Sequence, residues 1–210
     1  MPEDTLSLAS PDPDPIGRAE KLRQSADEAA RLARTSFVTF LAIAVYFGVT
    51  IGSTTDVQLL KVTPVQLPLL DVGLPIVGFY GIVPGLFALL HINLLVQLYL
   101  LARKVHAFSE ALAPLDPADQ REQQERLFAF PLSHMLAGHQ HSPLIRWLLA
   151  GMVWTTVVVL PLVLLIWAEV RFLPYRDPIV TPVQRAAVGI DLVALWVFWP
   201  LIVTGHHLKS

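Results

Sequence analysis

Pro84-Gly-Leu-Phe-Ala-Leu-Leu-His-Ile-Asn-Leu-Leu-Val-Gln-Leu-Tyr-Leu-Leu-Ala102 contains no charged residue. Wound as a helix at about 1.5 Å per residue, the run reaches ~28 Å, close to the ~30 Å of a bilayer's hydrocarbon core. It is the inner part of a longer uncharged stretch, the 31 residues from Val72 to Ala102. A single upright helix of that length would extend about 46 Å. Pro75 and Pro84 are therefore expected to divide it into an irregular outer approach and a span over about 80–102, regular from about Pro84 onward.

Working outward, the chain repeats the signal three times. Thr35 to Thr55 gives 21 uncharged residues, Trp147 to Ala168 gives 22, and Ala186 to Gly205 gives 20 with the single charge Asp191. A buried soluble core supplies one such stretch, hardly four in 210 residues. The composition agrees: 54% hydrophobic and only 15% charged residues, where soluble domains carry about 25% charge, and a mean hydropathy of +0.55. The reading is an all-α membrane protein with four transmembrane helices. Residues 1–34 form an N-terminal tail with an amphipathic helix, 35–205 the four-helix domain (spans about 35–55, 80–102, 147–168 and 186–205), and 206–210 the C-terminus. Trp147 and Trp167 bracket the third span, where amphipathic rings favour the membrane boundary. Pro161 and Pro200 lie inside spans three and four; they predict kinks, tolerated where a neighbouring helix satisfies the freed carbonyl.

The basic residues set an expected orientation. Arg18, Lys21, Arg23, Arg31, Arg34, Arg103, Lys104, Arg121, Arg126, Arg146 and Lys209 put 11 on one side, against four (Lys61, Arg171, Arg176, Arg185) on the other. Both termini are thus expected to face the cytoplasm. Met1 to Pro15 is acidic and proline-rich, so no signal peptide is expected and the first span acts as its own insertion signal. Arg18 to Arg34 has helical composition; it either lies on the membrane surface or, the favoured reading, extends span one. Between Asp56 and Asp71, residues 57–62 and 65–70 flank a Thr63-Pro64 turn and read as a short extracytoplasmic β-hairpin, with Pro68 confining the second strand to an edge.

The chemistry visible in the sequence is sparse. No cysteine is present, which removes disulfides, Cys-ligated zinc, iron–sulfur clusters and thiol catalysis. The net charge of −2 offers no basic surface for nucleic acid. Nucleophile elbows, phosphate loops, dinucleotide glycine patterns and zincin helices are missing. His134, His139 and His141 form a run whose spacing matches no strong metal motif, and a haem held by two histidines finds only His91 well inside a span. No enzyme activity, cofactor or metal is expected.

Ionisable and polar residues within spans are the candidate sites, because lipid makes them costly. Asp191 is placed about two turns into span four. It reads first as structural near the headgroups, paired with Arg185 or a polar group of another helix, and second as a proton, ion or ligand site. Asn93 and Gln97 are four apart on one face of span two; interhelical hydrogen bonding is the first reading, a polar pathway the second, and His91 points elsewhere. Gly81 and Gly85 make a small-xxx-small pair that permits close helix approach.

Ile51-Gly-Ser-Thr-Thr-Asp-Val-Gln-Leu-Leu60, then Gln66-Leu-Pro-Leu-Leu70, Leu74-Pro-Ile-Val-Gly-Phe79 and Leu90-His-Ile-Asn-Leu-Leu-Val-Gln-Leu-Tyr-Leu100 carry a resemblance. Over about residues 26–205 the chain resembles the hydrophobic N-terminal module of bacterial membrane proteins that carry pentapeptide repeats downstream. This chain ends at Ser210 with no such repeat. The resemblance implies a standalone membrane module in a bacterial inner membrane, with Ser53-Thr-Thr-Asp56 and the following segment as one structural unit. It brings no activity and no catalytic residue. Asp56 is expected to cap or hydrogen-bond that turn, with a ligand role second. The functional expectation is an accessory or assembly subunit that binds another membrane protein or itself in the bilayer. The alternative is a homo-oligomeric pore or transport module, with Asp191, Asn93 and Gln97 along a polar path.

Overall fold

The computed structural model describes residues 15–55, 64–66, 73–113, 116, 120, 143–173 and 178–204. Its helices are α1 (Pro15–Ser53), α2 (Ile76–Leu112), α3 (Pro143–Trp154), α4 (Leu160–Phe172) and α5 (Val180–Thr204). A π-turn, Thr155–Val159, joins α3 to α4, so these two together make the third span. Four helical stretches are long and apolar enough to cross a membrane, and the chain is a multi-pass membrane protein.

The first helix runs unbroken through the boundary expected near residue 34, so the N-terminal segment extends span one. Its outer part is held by Arg23, which reaches Glu20 at 2.6 Å and Asp27 at 3.2 Å, one turn away in each direction. The buried residues Ala26, Ala30, Ala33, Phe40, Ala44, Phe47 and Ile51, with Phe37 partly buried between them, follow alternating steps of three and four. That is the seam of a coiled-coil-like pair, and its partner is α2. Alanines occupy the protruding end. Toward the centre Phe40 stacks on Phe87 and Phe47 packs against it at a tilt, at centroid distances of 5.1 and 5.0 Å.

The second helix corrects the expectation of an irregular approach. It begins at Ile76, directly after Pro75, and continues through Pro84 to Leu112. Proline lacks the N–H that would bond the carbonyl four residues earlier, here that of Tyr80. Gln184 of α5 donates to that carbonyl from its Nε2 at 3.0 Å, which satisfies the acceptor that the proline frees.

The expected β-hairpin is not supported. Residues 57–62 lie outside the described residues, and Val65–Gln66 (β1) pairs antiparallel with Gly73–Leu74 (β2) instead. Two residue pairs form a clasp at the approach to α2. Residues 67–70, with Pro68, lie outside the described residues. Asp56 and the His134, His139 and His141 run also lie outside the described residues.

α2 is the central element, packed along α1 on one side and α5 on the other, with α4 touching α1, α2 and α5. Close approach between α1 and α4 rests on two glycines. A Cβ on Gly48 would sit 3.1 Å from Leu164, and one on Gly52 would sit 3.2 Å from the Trp167 ring. Gly48 and Gly52 are themselves a small-xxx-small pair. The expected pair is not used this way: a Cβ on Gly81 would meet Val180 at an ordinary 3.5 Å, and one on Gly85 would meet nothing within 4 Å.

Candidate functional site

Three spans converge on His91. Its Nδ1 lies 2.6 Å from Asp191 Oδ1 on α5, and its Nε2 lies 2.9 Å from the carbonyl of Val157 in the π-turn. Phe40 of α1 stacks on the imidazole at a centroid distance of 5.2 Å. His91 and Asp191 are both 0% exposed.

Each contact has a local cause. Pro161 would, in a regular α-helix, leave the Val157 carbonyl without its N–H partner. The chain meets the proline with a π-turn, in which the Leu160 N–H reaches back to the Thr155 carbonyl. Val157 is then served from another helix, by His91. Asp191 is the twelfth of the 25 residues of α5, so it stands near mid-span, about 17 Å along the axis from Val180. It is deeper than expected because α5 starts at Val180 rather than near residue 186. Arg185 does not pair with it. That guanidinium bonds Glu169 at 3.0 Å, at the end of the bundle.

A carbonyl only accepts, so His91 Nε2 carries a hydrogen. Between Nδ1 and Oδ1 there is room for one proton, whether it is written on the imidazole or on the carboxyl. Hydrogen-bonding each group to the other is what lowers the cost of burying both in a low-dielectric interior. Asp191 Oδ2 is buried and has no hydrogen-bond partner among the described residues.

The other candidates are arranged differently. Asn93 lies exposed on the outer face of α2 and Gln97 is half-buried beside it. Neither joins the His91–Asp191 pair, and among the described residues neither amide bonds span two to a neighbouring span. His91 and Gln184 do that work instead. At the opposite end of α4, Arg171 donates to the carbonyl of Thr54, where α1 ends and the Thr54 hydroxyl turns back to the Thr50 carbonyl at 2.9 Å.

Sequence reasoning did not single out Gln184, Val157 or the Gly48–Gly52 pair. The signal for the first two was present in Pro84 and Pro161: each proline frees a carbonyl four residues earlier, and a buried polar side chain in another span is its natural donor. Among the described residues, no group of three or more histidine, aspartate or glutamate side chains is gathered that could hold a metal ion.

The chain matches no family model, no curated protein and no solved structure in the comparisons made.

Proposed function

We propose that this chain is a non-enzymatic integral membrane protein, acting as an accessory or assembly subunit of a membrane complex. The carrying observation is that three buried polar side chains each spend a hydrogen bond on joining one span to another. His91, Asp191 and Gln184 bond each other or a proline-freed carbonyl, and none of the three is more than 2% exposed. Such a bundle is a shaped surface for lipid and protein rather than a reaction chamber. The resemblance to the membrane module of pentapeptide-repeat proteins, and placement in a bacterial inner membrane with both termini inside, belong to the same proposal.

The pore reading asks Asp191, Asn93 and Gln97 to line one path. Asp191 sits inside the bundle and Asn93 outside it, so the assembly reading is favoured. Purification from native membranes in a mild detergent, followed by native mass spectrometry, tests it. Recovery with other proteins is the expected result. A closed homo-oligomer that conducts ions in bilayers, with conductance altered by Asp191→Asn, would replace it with the pore.

A further inference from the structure

The outward face of α2 carries an ordered pattern. Ile82, Leu86, Leu89 and Leu100 are 70%, 52%, 61% and 41% exposed. With exposed Asn93 and half-buried Val96, they run 82, 86, 89, 93, 96, 100, in strict steps of four and three. The exposed sides of α1 and α5 share this spacing, so what sets this face apart is the asparagine within it. The face lies on the helix already packed by α1 and α5, and no described residue covers it. Gly85, beside Ile82 and Leu86, opens onto empty space.

One position on this seam is incompatible with lipid alone. Asn93 is two residues beyond His91, near the middle of the span, where neither water nor headgroup reaches. Its amide has no hydrogen-bond partner among the described residues. Hydrocarbon leaves two N–H groups and a carbonyl oxygen unsatisfied.

We propose that this seam binds a second copy of this chain, α2 against α2, with Asn93 hydrogen-bonded to Asn93. The proposal rests on the assembly reading above and deepens it. Two copies inserted by the same rules share one orientation, so a two-fold axis along the membrane normal brings each residue opposite itself at equal depth. A carboxamide donates and accepts, so it satisfies its own copy. The apolar seam residues interlock on either side of it, and Gly85 leaves room for the approaching backbone. A single asparagine on such a seam also fixes register.

The cysteine-free chain makes the test clean. Full-length chain carrying one substitution at a time (Ile82→Cys, Leu86→Cys, Leu89→Cys, Val96→Cys or Leu100→Cys) is placed in phospholipid vesicles and oxidised with copper phenanthroline and oxygen. Val193→Cys and Trp196→Cys, on the exposed face of α5, serve as controls. The expected result is disulfide dimers along the seam and not on α5. Asn93→Leu should weaken dimerisation roughly 3- to 30-fold, the range of interhelical hydrogen bonds in membranes, while Asn93→Gln retains it. Gly85→Leu should abolish seam crosslinking without changing the thermal unfolding of the monomer in detergent. Equal crosslinking on α5, no seam crosslink, or an Asn93→Leu variant that dimerises as before would each overturn the proposal. In native membranes, a seam cysteine joined to a different protein overturns the second copy and upholds the accessory subunit. A seam dimer recovered with no other protein upholds the second copy and overturns the accessory subunit.

Discussion

His91 holds two partners with two nitrogens, and substitution at either end of the Asp191 contact separates the roles of shape and charge. Asp191→Asn keeps the shape: its amide can donate to Nδ1 while Nε2–H stays on the Val157 carbonyl. The expected loss is small, under about 1.5 kcal/mol. Asp191→Leu leaves His91 Nδ1 buried without a partner and should cost about 1–3 kcal/mol. His91→Leu strands both a buried carboxyl and the Val157 carbonyl and should cost most, about 3–5 kcal/mol. Reversible unfolding in mixed micelles orders the three variants. Equal losses for all three would show that packing, not hydrogen bonding, governs this position.

At the scale of elements, two prolines inside helices are each answered by a side chain from another span. A double-mutant cycle isolates that relation. Gln184→Leu should destabilise the protein by about 1–2 kcal/mol, and by clearly less on a Pro84→Ala background, where the alanine N–H takes over the Tyr80 carbonyl. Additive losses would deny the link. The glycines give an independent contrast: Gly48→Val forces Leu164 aside and should destabilise, whereas Gly85→Ala fills open space in a helix and should be neutral or slightly stabilising, by up to about 1 kcal/mol. Much of this level was legible in the chain. The number of spans follows from charge-free length, because a bilayer admits nothing else, and the prolines announced carbonyls in need of donors. Which donor serves which carbonyl was not legible, because the rotation of one helix against another is decided by packing over its whole length. For Asp191 the sequence leaves open Arg185 or a polar group of another helix, and the partner is the second kind, His91, which lies 100 residues away in the chain.

For the whole molecule, the basic residues near the ends of the spans should place Lys21 inside and Thr55 outside. With Lys21→Cys and Thr55→Cys made separately, a membrane-impermeant thiol reagent applied to intact cells should label only the second; the opposite pattern would invert the topology. The side that holds Lys21 also holds the protruding parts of α1 and α2. These two helices, 39 and 37 residues long, pass from outside the bilayer to its centre without a break. Ala19 is 21 residues from Phe40, about 31 Å along the axis, and Phe40 rests on the His91 ring. One unbroken helix thus links buried Ala19 at the end of the bundle to the ring that covers His91.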